Sequence, residues 1–77
     1  MNKTTRKQIS GMIDELQTIA EQVEVIADEE QDKADNMPDN LQMSERHDLY
    51  EEIADKLRDA QDGLSEVIDN IQEAIDL

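Results

Sequence analysis

Residues 45–76 read ERHDLYEEIADKLRDAQDGLSEVIDNIQEAID, and the reading of this stretch decides the fold. With Tyr50 at heptad position a, the a column is Tyr50, Leu57, Leu64 and Ile71, and the d column is Ile53, Ala60, Val67 and Ala74. The e column adds Ala54, Ile68 and Ile75 and is interrupted by Gln61. An apolar stripe three columns wide belongs to a helix of a bundle; a two-stranded coiled coil needs only a narrow seam. The c and f columns run Glu45, Asp48, Glu52, Asp55, Asp59, Asp62, Glu66, Asp69, Glu73 and Asp76, all of them acidic. At about 1.5 Å of rise per residue, this ladder is roughly 46 Å long, with a carboxylate every ~4.5–6 Å.

The half of the chain before it repeats the design. With Ile9 at a, the a column is Ile9, Leu16, Val23 and Glu30, the d column Met12, Ile19, Ile26 and Lys33, and the e column Ile13, Ala20, Ala27 and Ala34. Asp14, Glu21, Asp28 and Asp35 make the f column acidic again. The periodicity predicts a first helix over residues 5–35, capped by Thr4 or Thr5, whose hydroxyl suits the free N–H groups of a first turn. Pro38 and the polar run Asp35 to Asn40 stop it, because the residue before a proline is pushed out of the helical region. A loop over 36–44 follows, with one short helical turn beginning at Asn36 or Met37 and reaching Leu41. Ser44 caps the second helix, 45–76, with Glu45 and Asp48 favourable near its positive end.

Two helices of matched length and a short connection predict an all-α antiparallel hairpin, one domain over residues 1–77. Residue numbers facing each other should add to roughly 79, on the geometry of a helix hairpin. Lys3, Arg6 and Lys7 would then lie beside Asp69, Glu73 and Asp76 and offset them. Met37, Leu41 and Met43 are the apolar residues expected to close the loop end. Gly63, in mid-helix, is expected to allow close approach of a neighbouring helix. Two helices cannot cover stripes three columns wide, so the economical assembly is a homodimeric four-helix bundle. Its core and dimer contacts would come from Ile9, Met12, Ile13, Leu16, Ile19, Val23, Ile26, Ile53, Leu57, Leu64, Val67, Ile68 and Ile71.

Composition narrows the chemistry. Net charge is −14 over 77 residues, with no Phe, no Trp and one Tyr, so the core must be aliphatic. So acidic a chain leans towards disorder, but a stripe sustained for four heptads argues for a folded helix. Clustered Lys and Arg are what phosphates require, so direct binding to nucleic acid or an anionic membrane is disfavoured, and a basic protein is the natural complement. The absence of Cys removes disulfides and thiolate metal sites and fits a bacterial cytoplasm. No apolar run resembles a signal peptide or a bilayer span.

Candidate sites were weighed in the same way. Asp28, Glu30, Asp32 and Asn36 have the spacing of calcium-loop ligands, but Lys33 stands where glycine is needed, Asp39 where a bidentate Glu is needed, and Pro38 intrudes. A di-iron bundle needs a Glu three residues before its His, whereas Ser44 precedes His47. No Gly-rich phosphate loop or placed nucleophile is present, and exposed carboxylates do not become general acids. The chain therefore reads as non-catalytic, without cofactor or metal. Two surfaces remain. One is the acidic ladder, especially Asp48, Glu52, Asp55, Asp59, Asp62, Glu66 and Asp69. The plain reading is a solvated outer face, since c and f point to water; a face built only for solubility would intersperse Lys with Glu, which makes the ladder a candidate partner-binding surface. The other is the loop end, where Met37, Pro38, Leu41, Arg46 and Tyr50 gather. There Glu30 and Arg46 are expected to pair, and Tyr and Arg are over-represented at binding hot spots.

The segment from Asp35 to Arg46, DNMPDNLQMSER, followed by an acidic amphipathic helix, resembles small acidic proteins of phages, prophages and other mobile elements, mainly from Gram-positive bacteria. Those carry Asp-Asn-(Met or Leu)-Pro-x-(Ser or Asn)-Leu-Gln-x-Ser-Glu. The resemblance covers about residues 30–77, and His47 departs from the small residue found at its position. It implies a mobile-element setting, in which small acidic proteins often inhibit host nucleic-acid-binding defence proteins. The expectation is thus a protein–protein interaction protein that binds a host or phage protein through acidic helix faces, as a mimic of nucleic acid. The alternative is a structural or assembly coiled-coil module that works through its apolar stripe.

Overall fold

The computed structural model describes all residues, Met1–Leu77. Helix α1 spans Lys3–Asp35 and helix α2 spans Glu45–Asp76, and the two pack side by side as an antiparallel hairpin. No strand is present, and neither helix is long and apolar enough to cross a membrane.

The ends of the helices follow local hydrogen-bond chemistry. The first free N–H groups of α1 find the Asn2 side chain, whose Oδ1 accepts from the Thr5 N–H at 2.8 Å. The cap is therefore Asn2, and α1 begins two residues earlier than the apolar period suggests, because Thr4 and Thr5 carry no periodic signal of their own. Ser44 caps α2 as expected, its Oγ accepting from the His47 N–H at 3.2 Å. Between the helices, Pro38 leads into a single 3-10 turn, Asp39–Leu41. Gln42 secures the crossing. Its Nε2 donates to the carbonyl of Met37 (2.6 Å) and, more weakly, to that of Ala34 (3.4 Å), which also accepts from the Met37 N–H at 3.3 Å. Helix ends leave carbonyls without an intrahelical partner, and a side chain reaching back is one remedy. The expected apolar closure is only partly made. Met37 is half-buried, but Leu41 is exposed and Met43 is 93% exposed, so a polar clasp by Gln42 does the work assigned to them.

The seam is narrower than the stripe. Moving along α1, the buried and half-buried positions are Ile9, Ile13, Leu16, Ala20, Val23, Ala27, Glu30 and Ala34, with Thr5 and Gln31 at its margins. On α2 they include Tyr50, Ala54, Leu57, Gln61, Leu64, Ile68, Ile71 and Ile75. Apart from those margins, both sets are the a and e columns. Of the apolar d residues, only Ile53 is half-buried, while Met12, Ile19, Ile26 and Val67 stay 45–54% exposed. Those four are thus outside the hairpin's own core. Matching letters on antiparallel helices fall on the same side, so both d columns open onto one face and both b columns onto the other. The fully buried core is correspondingly thin: Ile13, Ala27, Ala34 and Ala54.

Register differs from the expectation as well. Glu24 meets Gln61 and Asp28 meets Arg58, so facing residue numbers add to about 85 and not 79. The shift is visible at the loop: with numbers adding to about 85, Asp35 lies level with Tyr50, so the first turn of α2 overhangs the end of α1 by about 7 Å. As a result the first turns of α1 project beyond α2, and Lys3, Arg6 and Lys7 form no ion pair with Asp69, Glu73 or Asp76. A Cβ added at Gly63 would meet nothing within 4 Å, so within the hairpin Gly63 does not make room for a helix.

Candidate functional site

The b side of the hairpin is closed by polar bridges. Arg58, on α2, donates through Nη1 to Gln31 Oε1 (3.2 Å) and through Nη2 to Asp28 Oδ1 (3.4 Å) on α1. One turn further along, Gln61 Nε2 donates to Glu24 Oε2 at 3.1 Å. These groups are long, polar and partly solvated. They tie the two helices and also fix which edge of each apolar stripe is covered. Beyond them a shallow groove runs between Gln17, Ala20 and Glu21 of α1 and Ser65, Ile68 and Asp69 of α2.

Around this groove the acidic columns merge. The ladder of α2 is exposed along its whole length, from Glu45 to Asp76, including Asp48, Glu52, Asp55, Asp59, Asp62, Glu66 and Asp69. Asp14, Glu21, Asp28 and Asp35 of α1 are exposed on the same side. Sorted by column, the b and f positions of the two helices hold eleven acids against three bases, Lys3, Lys7 and Arg58. The c positions hold six acids and no base. The d and g positions are the opposite case, with Glu15 and Glu29 against Lys33, Arg46 and Lys56. A chain of net charge −14 therefore has one face that is close to neutral. The molecule is 60 Å long, so the b and f columns carry about one net charge per 7–8 Å of length, and the c columns add acids along the two outer edges. A single DNA strand carries one per ~3.4 Å.

The loop end gathers differently from the sequence expectation. Glu30 does not reach Arg46; with the register shifted, its carboxylate takes Lys33 Nζ at 2.8 Å. Glu30, first through that hydrogen bond and then through its charge, holds the Lys33 ammonium above the usual lysine range. Lys33 also lies 5.7 Å from the centre of the Tyr50 ring, over the face where a cation is attracted. Tyr50 and Met37 are half-buried, whereas Pro38, Leu41 and Arg46 are exposed. Of the five loop-end residues, then, Tyr50 is occupied inside the fold and Arg46 is free.

A second grouping went unnoticed in the sequence. His47 lies between Asp48 (Nδ1–Oδ1 3.5 Å) and Glu51 (Nε2–Oε1 3.6 Å), with its imidazole only 12% exposed. The three ligand atoms fall within 4.8 Å of one another, so an imidazole and two carboxylates could meet one cation. The same geometry serves without one: acids in a first turn are favoured by the helix dipole, and a protonated His47 would bridge both. The signal was a spacing of one and four residues on a single helix, common enough in an acidic chain to pass unremarked. No protein-family model matches this chain, and no curated protein or solved structure matches it either.

Proposed function

We propose that this chain is a non-catalytic interaction protein of the phage or mobile-element type, which binds a basic host or phage protein through its acidic side. The observation that carries the reading is the merging of the α2 ladder with the f column of α1. It gives one continuous anionic surface with about half the linear charge density of a nucleic-acid strand, flanked by further acids on the outer edge of α2. A phosphate-binding groove on a DNA- or RNA-binding protein is the complementary shape and charge, so the protein would act as a nucleic-acid mimic that occupies that groove. Attraction of this kind steers fast encounter and weakens steeply with salt.

The test is capture from a host lysate by the immobilised chain, alongside a variant carrying Asp55→Asn, Asp59→Asn, Asp62→Asn and Glu66→Gln. All four side chains are exposed, so the variant keeps the hairpin. The expected result is capture of basic proteins by the parent alone, with release by added duplex DNA or by salt. Equal capture by the variant, or retention in the presence of excess duplex, would remove the acidic side from the mechanism. A second reading is supported by the exposed d columns: an assembly module working through its apolar face. Under that reading the neutralised variant keeps all function, and Ile19→Asp loses it.

A further inference from the structure

The hairpin on its own is too open. A compact monomer of 8.8 kDa exposes about 4,800 Å² by the usual scaling of area with mass. This chain exposes 5818 Å², an excess of roughly 1,000 Å². A stable association removes ~800 Å² from each partner. Along the helices, Val25 alone among the exposed large apolar side chains lies on an outer edge; Met12, Ile19, Ile26, Leu49 and Val67 lie on the d and g side. That face is also the one with almost no net charge. Another copy of this chain can approach it without meeting the repulsion that guards every other side.

We infer that the d and g face is a dimer interface, in which two hairpins stack face to face about a two-fold axis parallel to the helices, α1 of one copy lying on α2 of the other. Two symmetric stackings are geometrically open, and charge distinguishes them. With the axis along the helices, each residue of α1 meets the level of α2 that it already occupies within its own hairpin, where numbers add to about 85. Glu29 then sits at the level of Lys56 of the other copy. Ile26 lies over Ala60 and Met12 over Ala74, so two of the long side chains meet alanines, and Ile19 lies over Val67. With the axis across the helices, α1 lies on α1 with Gln22 at the centre, and Glu15 is set against Glu29. The first stacking makes opposite charges meet, and the second makes like charges meet. Nearest neighbours are antiparallel in both stackings, so helix dipoles offset one another in either and the charge pairing decides between them. The acidic sides of both copies remain outermost. This inference does not depend on what, if anything, those acidic sides bind.

The test begins with solution mass by light scattering over a range of concentrations. The expected mass is twice 8.8 kDa. Ile19→Asp and Ile26→Asp should each halve it while circular dichroism stays helical. Glu29→Lys and Lys56→Glu should each weaken the dimer about tenfold, since symmetry makes either change count twice, and both together should restore it. The native chain lacks Cys, which permits a check of the axis. A mixture of Glu29→Cys and Lys56→Cys chains should join through a short bismaleimide, and Gln22→Cys chains alone should not. A single-chain mass at every concentration would overturn the inference and leave the face to a different protein. Efficient joining of Gln22→Cys chains, or no rescue by the double charge swap, would overturn the proposed axis.

Discussion

Replacing Gly11 and Gly63 with alanine should make this protein more stable, and the size of the gain can be worked out. Both glycines lie inside helices with ordinary negative φ, so neither is needed for a left-handed turn. A Cβ built at either site meets nothing within 4 Å. What remains is propensity: glycine in a helix interior is about 0.8–1.0 kcal/mol worse than alanine, largely because the unfolded chain has more freedom to lose. The two sites lie on different helices and about 16 Å apart along the axis, so their effects should add to nearly 2 kcal/mol. For a domain of 60–100 residues, each kcal/mol moves Tm by about 4–8 °C, giving a rise of roughly 8–16 °C for the double variant. Set against a total stability of ~4–12 kcal/mol for a chain of this length, that is a large share. Thermal melts followed by circular dichroism, with urea titrations to confirm an unchanged slope, would measure it. Gly63 lies on the d and g face, so the test is made in dilute protein where the chain is single; a fall in Tm for Gly63→Ala there, while Gly11→Ala gains, would refute the open space assigned to it.

Other substitutions probe the seam, the crossing and the charge. Ile13→Ala should lose about 2–5 kcal/mol, as for a buried isoleucine, whereas Ile26→Ala, 47% exposed, should lose less than half as much in dilute protein. Equal losses would mean that the seam is not the a/e pair of columns. Gln42→Ala should lower stability by about 1 kcal/mol, since the Met37 carbonyl loses its side-chain donor while Ala34 keeps the Met37 N–H, and a neutral result in urea titration would show that water replaces it freely. Salt should raise Tm, because the Debye length falls from about 30 Å at 0.01 M to ~3 Å at 1 M and screens the acidic side against itself; a melt indifferent to salt would contradict the charge map. Finally, Glu30 raises Lys33 above its ordinary value of 10.5, so the folded chain holds that proton more tightly than the unfolded one. The stabilisation is complete below the ordinary value and is lost only as pH rises through the higher folded value. Glu30→Gln should therefore be slightly less stable than the parent at neutral pH, with the difference vanishing in strong alkali; a difference that grew with pH would refute the pairing.

The two helices, their antiparallel pairing and the Ser44 cap were legible in the sequence because each is a local matter. Periodicity of 3.6 residues, a proline and a capping hydroxyl act within a few residues of where they stand. The acidic ladder was legible for the same reason, since helical spacing alone lines up Glu45 to Asp76. Gln42 was not, because a side chain that reaches back eight residues to Ala34 gives no periodic signal. The Lys33 pairing of Glu30 is an i,i+3 contact within α1 and so belongs with the legible features; only the separation of Glu30 from Arg46 depends on register.

By itself, the sequence determined that each helix carries three apolar columns and that its outer columns are acid. Only the tertiary structure decided which two of the three columns close the hairpin. The answer was a and e, where Ala20, Ala27, Ala34 and Ala54 keep the side chains at the seam short, and where Arg58 and Gln61 can cross to Asp28, Gln31 and Glu24. That choice left Met12, Ile19, Ile26 and Val67 outside and gathered the acids of both helices on the opposite side. A heptad pattern specifies how wide a stripe is. The side from which a neighbour covers it is fixed by contacts between residues some thirty positions apart.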